Sequence, residues 1–366
     1  MDFRNRTEHA ADMLRASSAR SQDHMLACFI ARPTYRLVNG SLVAAEEPWP
    51  IDPAPFETPL GLSSGDKPFY SGGIDVLVGG QVRQPRGSEA RLDVEIAVGR
   101  AFRRRIAVIG DRVWKRDAAG ALVPGEPAPF LTMPLTYERA FGGAAPTEHG
   151  VDMPYQANPL GRGFYLDEAS AEGQPLPNLE DPASPVRGVH DMPEPVGLGY
   201  YPLDGSLRPL SALDHPLAMR APGAPARDEP PRPIEPGDVL PTLFNAAHPR
   251  MILAPGKGPA PGDLVRLSHG MRDGDLAFTM PDLSMHAHVQ LEDREHVFPL
   301  HLDQIGLVGG EGLVFFSLRC VVEYRVRKGE RRATTLYPGA VPALIPASYR
   351  IAWPDRFADQ QGREDA

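Results

Sequence analysis

Apolar and polar positions alternate strictly over Leu92–Val98, with Leu92, Val94, Ile96 and Val98 on one face. Period-two alternation predicts a half-buried strand. Leu26–Ala31 is apolar throughout, as in a strand buried on both faces. Thr34–Val38 and Ser41–Ala44 flank Asn39-Gly40. That pair marks a tight hairpin, because both turn residues must take positive φ. Ile74–Val78 reads as a strand ending at Gly79-Gly80. Arg105–Ile109 and Arg112–Lys115 around Gly110-Asp111 read as a second hairpin, so 25–116 is expected to be a meander. Strands resume at 263–267, 276–280, 284–291, 297–302, 312–318 and 320–326, with turns at Asp273-Gly274 and Gly309-Gly310. Residues 1–24 are expected to be an arm, loose or with a short helix around Ala10–Arg20.

The interval 144–240 behaves differently. It holds 18 of the 41 prolines and shows little apolar periodicity. Proline removes a backbone donor and blocks helix interiors, so ordered loop is expected. Its end, Ala221–Pro236, reads as a mobile or polyproline-like linker. The expected fold class is mainly β. Two β-meander lobes, sandwich or open-barrel like, occupy 25–143 and 241–352. The long Pro/Gly-rich loop region 144–240 joins them, and 353–366 is a charged tail.

Composition narrows the function classes. A net charge of −9 over 366 residues argues against a nucleic-acid binder that works by neutralising phosphates. Arg100, Arg103, Arg104 and Arg105 form the dense basic patch, read as a solvated strand edge. Cys28 and Cys320 sit among apolar residues and are expected as buried thiols. The N-terminus lacks the apolar core of a signal peptide, and no apolar run reaches the length of a membrane span. A cytoplasmic location without membrane insertion is expected.

Candidate chemistry is sparse. Gly61-Leu62-Ser63-Ser64-Gly65 matches a nucleophile elbow in letters, but prolines before it and Asp66-Lys67-Pro68 after it deny the required strand and helix. His286 and His288 share one strand face and could collect a divalent metal with Glu292, His296 or His301. Two polar surface histidines are the simpler reading, and no metal or cofactor is expected. Glu138, Glu180 and Asp181 could pair for acid–base work, as in glycosidases. Glu138 or Asp181 could instead pair with Arg139 or Arg162 and fix the loops.

Three blocks stand out: Pro134-Leu-Thr-Tyr137-Glu138-Arg139-Ala-Phe141-Gly142-Gly143, then Asn158-Pro159-Leu-Gly161-Arg162-Gly163-Phe164, then Leu176-Pro177-Asn178-Leu-Glu180-Asp181-Pro182. With Lys67-Pro68, Ile74–Gly80, Ile106–Trp114, Phe244–Ala247, Leu300–Asp303 and Ser317–Arg319, they resemble a bacterial family long labelled a domain of unknown function. Its genes lie beside those for the VgrG spike and PAAR tip proteins of type VI secretion systems. The likeness spans about 25–325. The chain departs from it at Leu318-Arg319, where the family has Trp-Arg. It departs again at His248-Pro-Arg-Met251, where Pro-Asp-Gln is expected, and over 197–240.

The resemblance implies a non-enzymatic adaptor or chaperone that loads a type VI effector onto the VgrG/PAAR spike. An effector segment would be shielded by β-edge pairing or in a groove lined by Tyr137, Phe141 and Phe164. A carbohydrate-active or hydrolytic β-protein using Glu138, Glu180 or Asp181 is the alternative. The charged block residues are equally suited to holding the structure together.

Overall fold

The computed structural model describes residues 1–18, 22–84, 89–202, 230–238, 244–272, 274–292 and 294–351. The strands of the N-terminal half are β1 (Asp2–Asn5), β2 (Ala10–Ser17), β3 (His24–Arg32), β4 (Thr34–Val38), β5 (Ser41–Ala44), β6 (Phe56–Thr58), β7 (Gly61–Ser63), β8 (Ile74–Arg83), β9 (Arg91–Val98), β10 (Phe102–Ile109), β11 (Trp114–Arg116), β12 (Leu122–Pro124) and β13 (Thr132–Pro134). The middle contributes β14 (Phe141–Gly142), β15 (Ala144–Pro146), β16 (Asp152–Pro154), β17 (Arg162–Gly163), the short helix α1 (Glu168–Ala171), β18 (Leu179–Glu180) and β19 (Arg232–Ile234). The C-terminal half adds β20 (Ile252–Leu253), β21 (Leu264–Met271), β22 (Gly274–Thr279), β23 (Met285–Leu291), β24 (Arg294–Pro299), β25 (His301–Gly309), β26 (Leu313–Arg325) and β27 (Arg332–Pro338). The protein is mainly β, as the alternation and the proline content predict.

The sheets draw on both halves of the chain. A ten-stranded sheet runs β13-β8-β25-β26-β3-β2, with β4, β5, β19 and β20 attached. A five-stranded sheet runs β18-β10-β9-β21-β22, and a four-stranded one β1-β27-β23-β24. β8 lies parallel to β25, and β3 antiparallel to β26. The strands expected as two separate meanders therefore interleave, and hairpins such as β4–β5 and β9–β10 are the local part of the pairing. The reason lies in β3, whose two faces are both apolar. Ala27, Phe29 and Ala31 join the large core shared by the three sheets. Leu26, Cys28 and Ile30 pack on the other side with Tyr70, Ile234 and Val321. A strand buried on both faces needs cover from distant chain.

Several local expectations are corrected. Ala10–Ser17 forms β2, paired along its length with β3, and no helix. Its alanine, leucine and methionine favour helix only weakly, and an open strand edge overrides that. β8 continues through Gly79 and Gly80. β10 turns back on β9, whereas β11 pairs with β12, so 105–115 is not a hairpin. Residues 313–325 are one long strand, and 297–302 divides at Leu300. Part of the expected linker, Arg232–Ile234, pairs with β26. Residues 221–229 of that linker, Asp273 and the tail 353–366 lie outside the described residues.

A candidate binding cavity beneath the loops

The site is positioned by two glycines. At Gly80 φ is 74°, and a Cβ there would collide with the carbonyl oxygen of Gly309 on β25. At Gly79 a Cβ would lie 2.7 Å from Leu60 Cδ2. Only bare backbone lets other chain come this close. Two loops use the space. Gly80 N donates to Pro59 O at 3.2 Å, and Leu135 N donates to Gly80 O at 2.9 Å. The first loop carries the β6–β7 hairpin, and the second leads into the turn Tyr137–Arg139. A third segment closes the ring. Tyr200 N donates to Leu60 O at 2.8 Å, and Tyr201 N to Ala246 O at 2.7 Å. Together they enclose a cavity of about 960 Å³.

Leu60, Leu198, Tyr137, Tyr200, Phe69 and Phe244 contribute to its walls, with Phe69 and Phe244 stacked at 5.0 Å. Leu62 and Leu160 stand at the cavity with 57% and 51% of their surface exposed, beside exposed Glu57 and Glu138. The floor is charged. Asp66 Oδ1 accepts from Arg32 Nη2 at 2.5 Å and from Arg319 Nη2 at 2.8 Å. Arg319 Nε donates to Asp303 Oδ2 at 2.6 Å, and Ser71 N and Oγ each donate to Asp303 at 3.0 Å. Burial alone would lower the Arg319 pKa, but Asp303 and Asp66 more than offset it, and the net direction is upward. The two arginines and two aspartates balance. A buried charge is tolerable when so paired.

A third buried carboxylate fixes the wall. Asp75 on β8 accepts from Asn245 Nδ2 at 2.7 Å, Ala246 N at 2.9 Å, Ala247 N at 3.3 Å and Gln304 Nε2 at 3.3 Å. Burial raises its pKa to about 6. The clamp holds 244–247 in place, and with it the Phe244 and Ala246 sides of the cavity. Next in the chain, His248 packs on Tyr201 at 5.2 Å and its Nδ1 accepts from Arg250 N at 3.2 Å. Burial, then Arg104 and Arg250, lower the His248 pKa to about 4.

The three sequence blocks come together, mostly through backbone. Phe141-Gly142 pairs in parallel with Arg162-Gly163. Asn158 Nδ2 donates to Tyr137 O at 2.9 Å and to Phe141 O at 3.0 Å. Gly142 lies so close to Asn158 that a Cβ would strike the Asn158 carbonyl oxygen, and Gly143 N donates to that oxygen at 2.9 Å. Gly161 N also donates to Asn158 O, at 3.3 Å, with Pro159 in the intervening turn. Pro177 packs on Gly163. Asn178 Nδ2 donates to Ile109 O at 2.9 Å, and Arg139 Nη1 donates to Asn178 Oδ1 at 3.1 Å.

The ion pairs differ from those expected. Arg139 pairs with Asp111, Asp181 with Arg250, and Glu180 with Arg112, while Arg162 Nε donates to the backbone oxygen of Glu138. The expected aromatic groove is also corrected. Tyr137 lines the cavity, but Phe141 and Phe164 are buried in a separate loop core with Trp114, Leu122 and Leu176. Fully burying each such side chain is worth about 1.5–3 kcal/mol, enough to give the Pro-rich region a core of its own.

His286 and His288 are not surface residues. Both are buried, and their rings face Tyr349, the Gly339 carbonyl and Glu295. Among the described residues no cluster of three or more His, Cys, Asp or Glu side chains is placed to hold a metal ion. Ser63 lies in the β6–β7 hairpin, and no helix follows it. In the basic patch, Arg103 and Arg105 are exposed, whereas Arg104 is partly buried, its Nη1 3.4 Å from Gly197 O. Cys28 and Cys320 are buried free thiols, as expected.

A family model described as an uncharacterized protein conserved in bacteria (DUF2169) matches residues 22–319. The chain belongs to this family. No curated protein and no solved structure matches it. The DUF2169 span takes in every floor residue from Arg32 to Arg319 and all three blocks, and it ends before β27. Sequence reasoning found the blocks of this DUF2169 chain but missed the floor. The available signals were Asp75 in the apolar run Ile74–Gly80, Arg32 ending β3, Asp66 in a loop, and Asp303 and Arg319 within β25 and β26. Nothing in the sequence pairs them, because their separations reach 253 residues. Among the described residues no helix is long and apolar enough to cross a membrane.

Proposed function

We propose that this DUF2169 protein is a non-enzymatic adaptor that binds a type VI secretion effector in the cytoplasm and helps load it onto the VgrG/PAAR spike. The observation that carries the reading is the cavity of about 960 Å³, with apolar walls and two exposed leucines beside it. A concave apolar site of this size suits anchor side chains from a partner segment. Its charged floor is spent on internal pairing, so shape and apolar contact are left to do the binding.

The hydrolytic alternative has less support. Neither Glu180 nor Asp181 lines the cavity, and each is paired with an arginine, leaving Glu138 apart from both. No histidine or cysteine is among the described residues lining the cavity.

The test is retention of an effector encoded nearby by the tagged chain, together with secretion of that effector from a strain lacking the gene. The double variant Leu62→Arg with Leu160→Arg should fold normally, since exposed positions change stability by only about ±0.5 kcal/mol. It should retain the effector at least about tenfold more weakly. Unchanged retention would remove the cavity from the reading, and intact secretion after deletion would remove the adaptor role.

A further inference from the structure

On β23, Ala287 and Val289 join the shared core. Alternation then sets His286, His288 and Gln290 in a row on the opposite face. Such a row on an outer sheet face would ordinarily be wet, yet all three are buried. One short piece of chain, 347–351, covers them. The Tyr349 ring stacks on Tyr337 at 3.7 Å and on His286 at 5.7 Å, and its hydroxyl lies 3.1 Å from His286 Nε2. Gln290 grips the backbone of Ile351 in both senses. Ile351 N donates to Gln290 Oε1 at 2.8 Å, and Gln290 Nε2 donates to Ile351 O at 3.2 Å. Between them, Arg350 pairs with Glu295 on β24, whose other carboxylate oxygen lies 3.3 Å from His288 Nε2.

Ala347–Tyr349 form a 3-10 turn from which Arg350 and Ile351 continue, so the sheet face holds a short turn by side-chain contacts and by reciprocal bonds to one residue's N–H and C=O. Here the bound turn is the protein's own. The connection that delivers it is lightly held, with Leu344 85% exposed and Val341 also exposed. The receiving strands β23 and β24 lie inside the family span, and the covering segment lies beyond it.

We propose that the outer face of β23 and β24 is a peptide-docking site, filled in cis by residues 347–351. In trans it accepts a short segment of a partner protein that forms the same turn, with an aromatic residue followed by a basic and then an aliphatic one. The aromatic side chain takes the place of Tyr349 against Tyr337 and His286. The basic side chain takes the Glu295 carboxylate, and Gln290 holds the backbone of the third residue.

The test uses the full-length chain and a fluorescent peptide with the sequence of residues 345–351, read by anisotropy. A tethered segment acts at an effective concentration of about a millimolar, so the wild-type chain should bind the peptide at least about tenfold more weakly than the Tyr349→Ala chain. Adding Gln290→Ala to that chain, or replacing the peptide's tyrosine and arginine by alanine, should abolish binding. Arg350→Glu, at an exposed position, supplies a second way to loosen the cis segment if Tyr349→Ala fails to fold. Absence of binding to a folded loosened chain, or equal binding to the wild type, would overturn the proposal. A concentration-dependent wild-type dimer that Tyr349→Ala dissolves would also overturn it, by assigning the face to a second copy of this chain.

Discussion

The cavity floor and the loop blocks above it are both buried and polar, yet they are held by opposite means. The floor uses full charges brought from far apart in sequence, Arg32, Asp66 and Arg319, with Asp303 pairing Arg319 from behind. The blocks rest mainly on neutral amides and glycines, as where Asn158 satisfies the Tyr137 and Phe141 carbonyls beside Gly142, with Glu180–Arg112 as a buried ion pair at their edge. A charged network is strong only when every member is present, because removing one leaves a partner charge buried. An amide clamp fails more gently, since what remains is an unsatisfied dipole.

The largest expected effect follows from that asymmetry. Arg319→Ala strips both Asp66 and Asp303 of a cation and should cost about 3–5 kcal/mol in denaturant unfolding. A loss below about 1 kcal/mol would show that the floor is solvated.

Acid titration gives the next effect, at the joint between the two regions. His248 has a folded pKa of about 4 against an ordinary 6.5. As pH falls through that window the unfolded chain takes a proton that the folded chain refuses, so stability falls, by roughly 3 kcal/mol at most. His248→Gln removes this loss, and its stability relative to wild type should rise between pH 7 and pH 4. Asp75 acts with the opposite sign. Its folded pKa of about 6 lies above 3.8, so its protonation adds stability as pH falls from 6 to 3.8. Asp75→Asn should therefore lose ground to wild type over that window.

Asn158→Ala should be smaller, about 1–3 kcal/mol, since it takes the donor from the Phe141 carbonyl and one of two donors from the Tyr137 carbonyl. A loss as large as that of Arg319→Ala would erase the distinction between charge and amide. The smallest effect belongs to Glu138→Gln. Its side chain is exposed, and the blocks use its backbone oxygen. Stability should change by no more than about 0.5 kcal/mol. Effector retention should be unaffected as well.

Legibility followed the range of the forces. The β4–β5 hairpin could be read from Asn39-Gly40, whose φ values are 50° and 79°, because a tight turn is decided by the residues inside it. The alternation over Leu92–Val98 could be read for the same reason. Ala10–Ser17 was misleading because weak helix propensity yields to the hydrogen bonds offered by β3. His286 and His288 looked like surface because what buries them, Tyr349, lies some sixty residues away. The blocks were visible as patterns, but the partners of Arg139, Arg162, Glu180 and Asp181 were not. An ion pair is chosen by where loops dock, and that depends on close approaches such as those at Gly79 and Gly80.

By itself the sequence determined that this chain is mainly β, where tight turns such as Asn39-Gly40 fall, and which loop blocks are rich in turn formers. Those properties depend on φ preference, on side-chain alternation and on the limits that proline and glycine place on neighbouring backbone. Only the tertiary structure decided that the two halves share their sheets, that two arginines and an aspartate meet at a cavity floor backed by a second aspartate, and that residues 347–351 lie across His286, His288 and Gln290. Each of these joins residues far apart in the chain, and burial of apolar surface, which drives such meetings, carries no information about which distant segment supplies the other side.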